Sequence, residues 1–205
     1  MNVTSFKNDC LKENLDVIVQ KNLIDGSSYF FDHIQFGEEF EFKKDLAKSL
    51  DVHIRDIVIV GSGKLGFSIK PDENNLSFYP FKKFDFDFEK DVENKKSDLD
   101  IAIVSGSLFD RQLVNIYNHT NSYSNTSFKG KTKRSFAEYI LKGWLRPDFV
   151  PEDYSITTEI QVVQEKYKMK YGREVNIGIY KSWFFFEKYH QNNINNIKLN
   201  LITQL

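Results

Sequence analysis

The sequence predicts an α/β (α+β) chain, in which short strands are interleaved with helices, and three observations lead there. The runs Ile57 to Val60 and Ile101 to Val104 have the length and β-branched content of short buried strands. Glu174 to Tyr180 alternates polar and apolar residues as a third strand would. Elsewhere apolar residues recur at helical spacing. The 205 residues fit one domain with a real core, organised as N-terminal helices over 5–50, a central core over 56–180 and a C-terminal helix over 181–203.

From Ser5 to about Ile24, Leu11, Leu15, Ile18 and Val19 keep helical spacing with Ser5 as the cap, and Gly26-Ser27-Ser28 ends the helix. Phe40, Leu46, Ala47 and Leu50 mark a second helix from about Gly37 to Leu50. After the first strand, Lys64 to Lys70 leads to Pro71 and a stretch of poor periodicity as far as Lys96. This stretch, about 71–96, reads as an inserted flap or hairpin. Within it Phe84 to Glu89 alternates phenylalanine with acids, bracketed by lysines, which describes a half-exposed edge strand.

Beyond the second strand, Ser107 is placed to cap a helix carrying Leu108, Leu113, Ile116 and Tyr117. His119 to Lys133, rich in Asn, Ser, Thr and Gly, reads as a loop. A helix over about Ser135 to Trp144 runs into Arg146-Pro147, where proline stops it. Ile160, Val163 and Tyr167 mark another, ended by Gly172, and Trp183 to Leu201 forms a last, aromatic-rich helix.

Composition narrows the function classes. Twenty-eight basic and 29 acidic residues give a formal charge of −1, so no global basic signature of a nucleic-acid binder is present and such contacts would be local. The single cysteine, Cys10, excludes an internal disulfide and a zinc-thiolate cluster and fits a reducing compartment. No apolar run approaches the ~20 residues that span a bilayer, and the N-terminus lacks the order of a signal peptide. The expectation is a cytoplasmic protein without a membrane segment.

The chemistry gathers at the edges of the first two strands. Gly61, Ser62 and Gly63 follow the first, where a turn brings backbone N–H groups and a hydroxyl close to a phosphate with no side chain in the way. Lys64 stands ready to add positive charge, though a solvated lysine reads equally well. Asp98 and Asp100 open the second strand. Side chains at i and i+2 of a strand share a face about 6.6 Å apart, within reach of the same metal ions. At that spacing two carboxylates repel by roughly 2–3 kcal/mol at an effective dielectric of 20, a cost that bound cations remove. A strand-edge pair pointing at water is the plainer alternative. Together the turn and the acid pair suggest metal-assisted phosphoryl chemistry.

An apolar strand, Gly61-Ser62, then Asp98-x-Asp100 on a second apolar strand: this order resembles the polymerase-β-like nucleotidyltransferase superfamily over roughly the middle quarter of the chain. The resemblance implies a small mixed sheet flanked by helices, Asp98 and Asp100 as ligands of Mg2+ or Mn2+, and Gly61, Ser62 and Gly63 at the triphosphate. It implies transfer of a nucleoside monophosphate from an NTP or dNTP to a hydroxyl. The chain is closest in size to small prokaryotic members of toxin–antitoxin pairs or antiphage defence. The acceptor is then a protein or nucleic acid, or the product a signalling oligonucleotide, with a homo-oligomer or a cognate effector or toxin as further partners. A third carboxylate often completes the family site from a later strand. Here Asn176 stands in that slot and Glu174 lies one pleat earlier on the same face, so either Glu174 serves or the third acid is missing. The interval from Ser62 to Asp98 is longer than the family usually has, which requires the insertion to loop out.

Three rival readings accompany this one. Asp85 and Asp87 also have the Asp-x-Asp spacing and lie nearer Ser62, but they do not lead into a strand buried on both faces, as Asp98 and Asp100 do. Gly61 to Gly66 fits the GxGxxG pattern of a dinucleotide-binding enzyme, yet Phe67-Ser68-Ile69 alternates where a helix should continue, and Pro71 follows. A degenerate module that binds nucleotide or a partner without transfer is consistent with Asn176. Lys142 and Arg146 flank Trp144, which would offer phosphate contacts and a stacking platform for a base, or else a core tryptophan with solvated neighbours.

Overall fold

The computed structural model describes residues 2–92, 94–124, 128, 133–154 and 158–204. The chain opens with α1 (Val3–Lys12), α2 (Leu15–Val19), a π-helical turn (Gln20–Ile24), α3 (Tyr29–His33) and α4 (Glu39–Leu50). A 3₁₀ turn (Ile54–Asp56) leads into β1 (Ile57–Val60) and then α5 (Gly61–Leu65). After α6 (Phe86–Glu89) come β2 (Leu99–Val104), α7 (Gly106–His119), α8 (Lys133–Leu141), β3 (Trp144–Leu145), α9 (Thr158–Tyr171), β4 (Val175–Tyr180) and α10 (Trp183–Thr203). The four strands form one mixed sheet in the order β1-β2-β4-β3, flanked by helices, as the predicted α/β class requires. Among the described residues no helix is long and apolar enough to cross a membrane.

Two compact units divide the chain: 1–42, 58–100 and 187–205 in the first, 43–57 and 101–186 in the second. In the first, Phe6, Cys10, Ile18, Leu23, Leu65, Phe67, Phe81, Ile194 and Ile197 form a continuous apolar cluster. The expected single helix from Ser5 to Ile24 is broken after α1. Glu13 and Asn14 are extended, consistent with the asparagine preference for helix boundaries. Asn2, not Ser5, caps α1, accepting from the Ser5 N–H at 2.8 Å. The break folds the chain back so that Lys21 and Asn22 both donate to Asp9, at 2.9 and 3.3 Å. Helix α3, which the sequence pattern does not predict, packs against α5.

The stretch Phe84 to Glu89 is not an edge strand. Asp85 takes a left-handed backbone at φ +61° and Phe86 to Glu89 make one helical turn. Alternation of Phe and acid fits the strand period, but reciprocal bonds between Asp85 and Ser97 override it: the Ser97 N–H donates to Asp85 Oδ1 at 2.8 Å and the Asp85 N–H to Ser97 Oγ at 2.9 Å. The segment before the insertion pairs with the insertion in a short antiparallel contact, with Phe67 opposite Lys83 and the Ser68 N–H donating to the Lys82 carbonyl at 2.7 Å.

In the second unit α7 and α9 pack on β4, and α8 on β3. Ser105, two residues before the expected Ser107, caps α7 by accepting from the Leu108 N–H at 3.2 Å. The helix expected to reach Trp144 stops at Leu141, because Gly143 turns the chain at φ +65° and the Phe185 ring fills the space a side chain would need. Trp144 and Leu145 then pair with Tyr180 and Ile179, and Trp144 stacks on Tyr180 with ring centroids 5.3 Å apart. Helix α9 ends at Gly172 (φ +59°) as predicted. The loop expected over His119 to Lys133 lies partly outside the described residues.

Candidate functional site

The site is built where β1 turns over the start of β2, within the first unit. Val60 is extended, and Gly61 takes φ +64°, a left-handed conformation that glycine adopts without steric cost. A Cβ on Gly61 would stand 3.0 Å from Asp100 Oδ2, and one on Gly63 would stand 3.0 Å from Leu99 Cδ1. The two glycines therefore let the Gly-Ser-Gly backbone approach β2 closely. The expected turn is also the first turn of α5, closed by the Gly66 N–H donating to the Ser62 carbonyl at 2.8 Å.

Leu99 is fully buried, and Asp98 and Asp100 on either side of it are only half-buried, as i and i+2 positions of an extended chain should be. Asp100 lies within β2 and Asp98 immediately precedes it. Ser62, Asp98 and Asp100 line one cleft of about 200 Å³. Lys95 pairs with Asp98 at 3.1 Å, an exposed ammonium on a half-buried carboxylate, and solvent screening leaves the pair little stability to contribute.

The rest of the cleft comes from the insertion and its ends. Lys70, Lys82, Lys83 and Asp87 line it, with Ser68 and Ser97. Asp87 accepts from Lys82 at 3.0 and 3.1 Å. Sequence reasoning missed these lysines. Their only signal was the bracketing of Phe84 to Glu89 by basic residues, and no local pattern reveals that the insertion closes back beside Ser62. The rival pair, Asp85 and Asp87, is split: Asp87 reaches the cleft, while Asp85 ties the insertion to Ser97, the residue before Asp98.

Lys64, Glu174 and Arg146 are not among the residues that line this cleft. Lys64 is buried, and its ammonium donates to the carbonyls of Asp25 and Gly26 at 2.7 and 2.8 Å, so it joins α5 to the end of the π-helical turn. Glu174 and Arg146 belong to the second unit. Glu174 pairs with Lys168 at 3.0 Å, and this hydrogen bond holds the Lys168 ammonium above its ordinary pKa. Asn176 is exposed on β4 between buried Val175 and Ile177. Arg146 donates to Asp148 at 3.0 Å and to the Tyr139 hydroxyl at 3.2 Å, and its guanidinium lies over the rings of Tyr139, Trp144 and Phe149. Those contacts pack it against the β3 region.

Among the described residues no three His, Cys, Asp or Glu side chains come together as a metal site. Asp98 and Asp100 supply two hard oxygen ligands, which suits Mg2+, an ion commonly held by one or two carboxylates together with substrate phosphates. A larger hollow of about 460 Å³ lies over α2 and the π-helical turn, lined by Asp16, Val17, Gln20, Ile24, Asp25 and Glu187. None of the predicted site residues lines it. Comparison with protein-family models, curated proteins and solved structures finds no match to this chain.

Proposed function

We propose that the chain is a metal-dependent nucleotidyltransferase of the polymerase-β-like type, moving a nucleoside monophosphate from an NTP or dNTP to a hydroxyl. One observation carries the reading: Ser62, Asp98 and Asp100, distant in sequence, line the same cleft, with Gly61 backed against Asp100. Asp98 and Asp100 would hold Mg2+ or Mn2+, which when bound draws electron density from the phosphoryl oxygens. Ser62 donates its hydroxyl proton to a phosphate oxygen, and the open backbone at Gly61 and Gly63 lets that phosphate come close. The acceptor hydroxyl gives up its proton to solvent as its oxygen bonds to the α-phosphorus, the bond to pyrophosphate breaks, and pyrophosphate leaves with the electron pair.

The acceptor, a protein, a nucleic acid or a growing oligonucleotide, belongs to the same proposal, as does a cytoplasmic setting in defence or a toxin–antitoxin pair. A second reading, a module that binds nucleotide or a partner without transfer, is favoured by the ion pair that occupies Glu174 and by Asn176 in the third-acid position. Asp100→Asn separates the two. With labelled NTP and metal, the transferase reading expects product from the wild type and its loss from Asp100→Asn. Nucleotide binding without product from either protein supports the second reading.

A further inference from the structure

The proposed transfer leaves the insertion without a role, yet the insertion and the segment that leads into it furnish the cleft with its lysines. Its residues are placed by alternation. Phe67 lies in the apolar cluster and Ile69 packs against it, which turns Ser68 and Lys70 to the other side. Phe81 is buried in the same cluster and Phe84 is buried near Gly63; Lys82, beside Ser68, shares the face of Ser68 and Lys70, while Lys83, opposite Phe67, is exposed at the end of the pairing. The antiparallel pairing of Phe67 with Lys83 fixes the two segments side by side. Lys70, Lys82 and Lys83 all line the cleft that holds Ser62, as do Asp98 and Asp100.

We propose that Lys70, Lys82 and Lys83 form the seat of the nucleotide's polyphosphate, and that Asp87 is a carboxylate placeholder which the polyphosphate displaces from Lys82. The ligand class is a linear polyphosphate, free or as the tail of an NTP. An ammonium is a compact donor with three rotatable protons and suits the non-bridging oxygens of a flexible chain. The Asp87 carboxylate already meets Lys82 in the geometry an anionic oxygen would take. The inference rests on the nucleotidyltransferase reading for the nucleoside end alone; the anion seat stands on the lysines.

Calorimetric titration of the full chain with ATP, with inorganic tripolyphosphate and with adenosine, each with Mg2+, tests it. The expected result is that ATP and tripolyphosphate bind and adenosine binds far more weakly. Lys82→Ala/Lys83→Ala and Lys70→Ala then weaken both anions by roughly 10- to 100-fold, the loss of one or two charge-assisted bonds. Asp87→Asn tightens both several-fold by removing the competing carboxylate. All four positions are exposed or half-buried, and unchanged melting temperatures confirm intact folds. Tripolyphosphate affinity that is nil in the wild type, or indifferent to the lysines, overturns the proposal, and weakening by Asp87→Asn overturns the placeholder. Product formation that survives unaltered nucleotide affinity in the lysine variants sinks this inference and leaves the transferase reading standing. Lysine-dependent tripolyphosphate binding in a protein that forms no product does the reverse.

Discussion

Replacing Gly61 by alanine isolates the contact on which the site is built. The backbone at Gly61 is left-handed (φ +64°), and an L-residue there costs about 1–2 kcal/mol. In a chain of this size that lowers the melting temperature by roughly 2–8 °C. Gly26 is the matched control, with φ +70° and open space where a Cβ would go, so Gly26→Ala carries the backbone cost alone. At Gly61 the new methyl also meets Asp100 Oδ2 at 3.0 Å, and the carboxylate must give way by a few tenths of an ångström. A short side chain can do this by leaving its rotamer minimum, at a cost of order 0.5–1.5 kcal/mol. Gly61→Ala should therefore melt a few degrees below Gly26→Ala, and in an Asp100→Ala background the difference should vanish. Displacement on this scale should lower metal-dependent turnover at least about tenfold, whereas Gly26→Ala leaves it unchanged. Differential scanning calorimetry and initial rates on the single and double variants measure both effects. Equal melting and equal turnover for Gly61→Ala and Gly26→Ala would refute the claim that Gly61 positions Asp100.

Three further outcomes follow from groups away from the cleft. Burial holds His190 down, at about 4, while the unfolded imidazole takes its proton near 6.5. Its contribution is full above pH 6.5 and is lost as pH falls towards 4, by roughly 3 kcal/mol, so urea midpoints should drop over that window and His190→Leu should flatten the dependence. Burial first, and the neighbouring Asp9 second, push the Cys10 thiol up to about 12, so iodoacetamide at pH 8 should leave the native protein unmodified and label it rapidly in denaturant. Lys64→Met removes two charge-assisted bonds to the Asp25 and Gly26 carbonyls and should cost about 2–4 kcal/mol of stability. Its KM for nucleotide, measured below the melting transition, should match the wild type; a raised KM would return Lys64 to the phosphate site.

What was legible in the sequence is what short periods encode. Ile57 to Val60 and Glu174 to Tyr180 carry strand patterns that no competing interaction opposes, and Val163, Tyr167 and Gly172 bound a helix by spacing and by a left-handed stop. The i, i+2 spacing of Asp98 and Asp100 ahead of Ile101 to Val104 made the acid pair readable as a shared face, and Leu99 is buried between them. Local chemistry overrode the pattern elsewhere. Asp85 trades strand pairing for two bonds with Ser97, Asn14 interrupts the first helix, and Gly143 with the Phe185 ring sends Trp144 into the sheet. The tie from Lys64 to the carbonyls of Asp25 and Gly26 was not legible, because those acceptors lie far away in sequence. Lys70, Lys82 and Lys83 escaped notice for the same reason: a charged cleft wall made by chain reversal leaves no periodic trace.

The central claim is chemical, and it is met most directly by incubating the purified chain with each α-labelled NTP and dNTP plus Mg2+ or Mn2+ and resolving the products. The account predicts a labelled product and released pyrophosphate from the wild type, both absent from Asp98→Ala/Asp100→Ala. Product formed equally well by that double variant would contradict it.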